Sequence, residues 1–160
     1  IYLMNPDGTG QSLLGAGGWD PEWSPDGSRM AYVSDDKLYV VNADGTNPVQ
    51  LTNHPDRWDG SSRWSPDGSQ LAFLGFTMSD GFRREIYVIN ADGTGLTQLT
   101  NLPDQAGNWP RDPVWSPDGE WICGWSWNDG LGVIHPASGA TFGITPYGPD
   151  FRYPVWRPGG

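Results

Sequence analysis

Several things are scarce in this sequence, and each scarcity excludes something. One cysteine, Cys123, and two histidines occur in 160 residues. An internal disulfide and a cysteine-based zinc site are therefore excluded. Basic residues are few: nine against nineteen acidic, for a net charge of −10 and a pI near 4.3. Nucleic acid and anionic membrane surfaces would both be repelled, so neither is expected as a partner. Apolar runs are short. Residues 71–76 fall far below the roughly 20 needed for a membrane-spanning helix, and membrane insertion is not expected. No stretch combines helix caps with a 3.6-residue apolar period, which removes helical solenoids. The start at Ile1, with neither Met nor a signal-peptide pattern, reads as a processed chain or a piece of a longer one.

Catalytic signatures are also absent. There is no Gly-x-Ser-x-Gly elbow, no His-Glu-x-x-His and no phosphate-cradling glycine loop. Gly8-Thr9-Gly10 is hairpin turn, because no helix follows it. His54 and His135 read as turn or edge residues, and Cys123 as a small buried filler. The chain is not expected to be an enzyme, and no cofactor or metal is expected.

Turn-formers and aromatics are abundant: 23 Gly, 15 Pro, ten Trp, six Tyr and five Phe. Glycine has no three-residue period, so collagen is excluded. The aromatics supply enough apolar surface to order the chain. They also lie in a repeat. Trp-Ser-Pro-Asp-Gly occupies 23–27, 64–68 and 115–119, and decays to Trp-Arg-Pro-Gly-Gly at 156–160. A second motif, Ile-Tyr-Leu-Met-Asn-Pro-Asp-Gly at 1–8, matches 38–45 and 86–93, with a weaker copy at 132–139. Ser-Pro-Asp-Gly is a type I turn with Pro fixing φ and Gly left-handed, and Asn-Ala-Asp-Gly does the same work. Between the turns lie short β-branched and aromatic runs. Each period holds four strands: A ending at the motif Trp, B (30–33 in the first copy), C (38–42) and D (49–52). Four strands in a period near 40 residues make one propeller blade. The motif indoles Trp23, Trp64, Trp115 and Trp156 are expected to wedge between blades, each burial stabilising by about 4–6 kcal/mol gross.

These blades resemble the TolB-like β-propeller repeat, built on Trp-Ser-Pro-Asp-Gly and the Ile-Tyr-Val-Met-Asn-like strand that follows. A looser form of the blade occurs in the propellers of prolyl-oligopeptidase-type enzymes. The resemblance implies about six blades and an extracytoplasmic setting, periplasmic or at the cell surface. The expected fold is all-β: four-stranded antiparallel blades at 20–52, 61–100 and 113–145, a half blade at 1–16 (strands C and D), and the start of another at 153–160. Three complete and two partial blades form one domain that is part of a larger propeller, completed by further chain or by another subunit.

The A–B and C–D turns are tight in every blade and share one end of the ring, so function is expected at the other end. The loops there are 54–60, 76–85, 102–111, 127–130 and 147–152. Pro-Asp recurs at 55–56, 103–104 and 149–150, each followed by an aromatic. The candidate partner-binding set is Asp56, Arg57, Trp58, Asp80, Arg83, Arg84, Asp104, Trp109, Arg111, Trp127, Asp150 and Arg152. The competing reading is that Pro-Asp starts turns, the aromatics cover blade edges and the arginines pair with neighbouring carboxylates. The motif aspartates are expected to bond turn amides rather than calcium, since the EF-hand spacing is missing. The resulting expectation is a rigid scaffold for a protein or peptide. The alternatives are the accessory propeller of a prolyl-oligopeptidase-like hydrolase, or a structural subunit of a larger extracellular assembly.

Overall fold

Each Trp-Ser-Pro-Asp-Gly segment closes the same turn in the computed structural model, which describes residues 1–14, 17–77, 83–101, 111–126, 130–143 and Trp156. In the first copy the Gly27 N–H donates to the Ser24 carbonyl at 2.8 Å, with Gly27 at φ 68°. The Ser24 hydroxyl donates to the Asp26 carboxylate at 2.6 Å and accepts the Arg29 N–H at 2.9 Å. The pattern returns at Ser65, Asp67 and Gln70, and again at Ser116, Asp118 and Trp121. The second turn is equally regular. Asp44 accepts the Thr46 N–H and hydroxyl at 2.9 and 2.6 Å, as Asp7 does with Thr9 and Asp92 with Thr94.

With both turns fixed, the strands between them pair as meanders. Sheet one is β3 (Trp19–Trp23), β4 (Arg29–Ser34), β5 (Lys37–Asn42) and β6 (Val49–Gln50). Sheet two is β7 (Arg57–Trp64), β8 (Gln70–Thr77), β9 (Arg83–Asn90) and β10 (Thr97–Gln98). Sheet three is β11 (Arg111–Trp115), β12 (Ile122–Ser126), β13 (Gly130–Ile134) and β14 (Thr141–Gly143), and β1 (Tyr2–Leu3) pairs with β2 (Ser12–Leu13). All pairs are antiparallel and no helix occurs among the described residues. The expected all-β architecture of four-stranded blades is the one that forms. The segment 153–160, read as the start of another blade, lies outside the described residues except for Trp156.

The motif indoles join one blade to the next. Trp64 Nε1 donates to the Glu22 carbonyl at 3.0 Å, Trp115 Nε1 to Arg63 at 3.1 Å and Trp156 Nε1 to Val114 at 3.0 Å. Each acceptor is the residue just before the preceding motif Trp. Trp64 and Trp115 are buried, whereas Trp23 is 47% exposed. Around Trp64 a core of Val33, Leu38, Leu51, Leu71, Phe73 and Ile89 spans blades one and two. Ala72, Val88, Trp115 and Ile122 continue it to blade three.

The inner strand of each of the three blades carries a bulge between the fourth and the first residue before its Trp, where register slips between Trp19 and Glu22, Gly60 and Arg63, and Arg111 and Val114. There Asp20, Ser61 and Asp112 take φ of 57°, 51° and 35°, left-handed conformations that cost a side-chain-bearing residue about 1–2 kcal/mol. The packed ladder on either side holds them.

Residues 57–60, expected as loop, are instead the first half of β7, in register with Thr77, Phe76, Gly75 and Leu74. Arg83 and Arg84 likewise open β9 opposite Thr77 and Phe76. The long β7–β8–β9 ladder persists because Trp58, Phe76 and a buried ion pair give its outer end side chains to pack.

Candidate functional site

The end of the ring carrying the longer connections is built on the starts of β3, β7 and β9 and the end of β8. Arg57 lies there but is not presented to a partner, contrary to its reading as an exposed loop residue. It is 4% exposed. Its Nε donates to Asp59 Oδ1 at 2.6 Å, and its guanidinium lies 4.2 Å from the Tyr87 ring centre and 5.4 Å from that of Phe73. Gly75 leaves the room: a Cβ there would sit 2.5 Å from Arg57 Cδ and 2.6 Å from the Tyr87 ring. Asp59 is fully buried, so the pair compensates itself inside the fold. The segment is also tied to blade one. Lys37 Nζ donates to the Arg57 carbonyl at 2.9 Å, and the Asp59 N–H to the Asp36 carbonyl at 3.1 Å. His54 sits beside this cluster; partial burial and, after it, the Arg57 charge lower its pKa below the usual imidazole value.

Above that anchor the surface is aromatic. Trp58 is 48% exposed and Trp19 is 51% exposed. Trp19 extends over Gly60, where a Cβ would lie 2.9 Å from its Cη2 and 3.6 Å from the Phe76 ring. The Arg84 guanidinium covers Phe76 at 4.9 Å. Trp19, Trp58, Phe76 and Arg84 therefore form one continuous patch, with Asp56 exposed beside it. The sequence reading selected Trp58 and Arg84 but missed Trp19 and Phe76. Trp19 belongs to no repeat, since Gly60 and Arg111 stand at its position. That departure was the available signal: a lone Trp where the repeat has no aromatic.

Arg83 is half-buried at the start of β9, and Arg111 opens β11 in register with Trp125. Asp80, Asp104, Trp109, Trp127, Asp150 and Arg152 lie outside the described residues. On the channel side, Glu22 and Arg63 approach to 3.9 Å, both about one-third exposed. Burial raises the Glu22 pKa, Arg63 opposes that and Asp20 adds to it. Among the described residues no three His, Cys, Asp or Glu side chains gather as a metal site would need. The Cys123 thiol is buried and its pKa is pushed up to about 11, so it is protonated at neutral pH. No helix among the described residues is long and apolar enough to cross a membrane.

Several solved structures share this architecture. An oligogalacturonate lyase solved in complex with manganese matches at a TM-score of 0.70 and 19% identity, over 94% of this chain and 43% of that one. TolB from Acinetobacter baumannii matches at 0.69 and 20%, over 90% and 37%. Dipeptidyl peptidase 4 from Porphyromonas gingivalis matches at 0.63 and 17%, over 82% and 26%. The chain thus spans less than half of each of these proteins. No curated protein sequence matches it. The family model described as the TolB beta propeller domain matches residues 19–160, across all three blades, and the chain belongs to that family.

Proposed function

We propose that this chain is a non-catalytic TolB-family propeller segment that binds a protein or peptide through its long-connection end. The observation that carries the reading is the pair of half-exposed indoles, Trp19 and Trp58, on strands locked from below by the buried Arg57–Asp59 pair. Large aromatics that are rigid before binding lose little conformational entropy on contact, which is why they anchor protein interfaces. The arginine over Phe76 and the exposed Asp56 add polar contacts around them. A binding role also fits the chemistry of the remaining groups. The motif carboxylates are occupied with their own turns, and the thiol is buried and protonated. The TolB resemblance supports an extracytoplasmic setting.

Peptides selected against the chain from a random display library test this. Binding should weaken at least tenfold in Trp58→Ala, while the urea midpoint stays nearly fixed, because a half-exposed ring contributes under about 1 kcal/mol. Selected peptides that bind the Trp19→Ala/Trp58→Ala double variant as well as the parent would overturn the assignment of this face.

A further inference from the structure

The repeat lets one blade junction be compared with the next, and the comparison exposes an unfilled place. At the junction of blades one and two, Arg29 reaches across. Its Nη2 donates to the Gly68 carbonyl at 3.0 Å, and its guanidinium stands 5.0 Å from the Trp64 ring centre. Gly68 belongs to the Trp-Ser-Pro-Asp-Gly turn of blade two. At the next junction the residue equivalent to Arg29 is Gln70. Both follow their motif serine by five residues and donate their N–H to its hydroxyl at 2.9 Å. Gln70 does not cross. Its Nε2 turns back to Asn90 Oδ1 within its own blade, at 3.1 Å. The turn glycine it would have reached, Gly119, accepts no side-chain donor among the described residues.

What remains between blades two and three is a cavity of about 320 Å³, lined by Gln70, Val88, Thr97, Gly119, Glu120 and His135 among others. Its size is at the small end of ligand sites, which run roughly 300–1,000 Å³. Its polar groups are mostly acceptors. Among the described residues the Gly119 carbonyl accepts no hydrogen bond and the Gln70 Oε1 is left over once Nε2 is committed; the Thr97 hydroxyl, which donates to the Gly95 carbonyl at 3.1 Å, keeps its acceptor side, and Glu120 adds an exposed carboxylate. Val88, Pro136 and Ala137 add apolar surface to the lining. A planar cation with several donors and a thin apolar stem matches such a lining, and a guanidinium is that group. The junction one blade earlier supplies the same group covalently. In a chain of net charge −10 the long-range field also favours a cation.

We propose that this cavity is a binding site for the arginine side chain of a partner polypeptide, which takes the place that Arg29 fills internally. It lies at the tight-turn end of the blades, opposite the aromatic patch, and does not depend on that patch binding anything.

The test titrates the full 160-residue chain with Nα-acetyl-arginine methylamide, a probe that presents the side chain without terminal charges. Amide shifts are read by NMR. A Kd of roughly 1–20 mM is expected for a single side chain in an open pocket. Shifts should concentrate at Thr97, Gly119, Glu120 and His135, with the neutral, isosteric citrulline probe at least tenfold weaker. Glu120→Gln, an exposed change that leaves the core untouched, should weaken the arginine probe about threefold or more. Gln70→Arg should abolish binding by supplying the guanidinium from within, as Arg29 does. The proposal is overturned by any of three results: equal affinity for arginine and citrulline, undiminished binding in both variants, or no shift in these residues at roughly 50 mM probe.

Discussion

An indole both fills volume and donates one hydrogen bond, and the motif tryptophans use both properties at the blade junctions. Trp64 is buried against blade one and its N–H is spent on the Glu22 carbonyl. Trp64→Phe keeps most of the volume but leaves that carbonyl without its donor, at an expected cost of about 1–3 kcal/mol. Trp64→Ala also opens a cavity and should cost about 3–5 kcal/mol. Trp23 carries the same motif but is half exposed, with no such acceptor among the described residues. Trp23→Phe should therefore change stability by under about 0.5 kcal/mol. Urea unfolding midpoints at constant m-value separate these cases. Equal losses at positions 23 and 64 would show that the junction bond contributes nothing.

At the level of the turn, six aspartates hold the hairpins and all six titrate low. Asp26 falls to about 2, chiefly because the Ser24 hydroxyl donates to its carboxylate, with the Ser28 hydroxyl and N–H adding. Asp67 and Asp118 are lowered first by the serine two residues before each, and Asp7, Asp44 and Asp92 first by the threonine hydroxyl two residues after. A carboxyl whose pKa is depressed by folding stabilises the fold fully above its ordinary value near 4. That contribution fades as pH falls and is gone below the folded value. The Tm advantage of the parent over Asp26→Asn should thus be largest above about pH 4, shrink as pH falls toward 2 and vanish only below about pH 2; a difference independent of pH would show that the charged form is not what the turn holds. These turns could be read from sequence because every determinant lies within five residues. The start of β7 could not be read that way. Arg57 and Asp59 look like surface charges, and only the partners Phe73, Gly75 and Tyr87, brought in by the ladder, make them a buried pair. Trp19 was hidden for a related reason: its neighbour across the junction is Gly60, 41 positions away in sequence.

Across the whole molecule, stability in a stacked repeat is approximately a sum over blades and the interfaces between them, so the blade covered on both faces should open last. Blade two is flanked by a complete blade on each side, whereas the far face of blade one meets only the half blade, where Ile1 and Leu14 pack on Met30, Tyr32 and Val41. Leu71, Phe73 and Ile89 pack toward blade one with Val33, Leu38 and Leu51, while Ala72 and Val88 pack toward blade three with Trp115 and Ile122. The outer strands β6 and β10 are two residues long and exposed, as is β2. Native-state hydrogen exchange should therefore show the amides of residues 71–74 and 86–89 as the slowest in the chain, and those of the outer strands as the fastest. Arg29 is the one guanidinium seen to bridge a junction through a turn carbonyl among the described residues. Arg29→Ala should consequently speed exchange in β4 and β5 by about tenfold while leaving β12 and β13 unchanged, because only the first junction loses a contact, worth about 1–2 kcal/mol. If all three blades accelerated together, the sheets would be opening as one cooperative unit and the additive picture of separate junctions would be wrong.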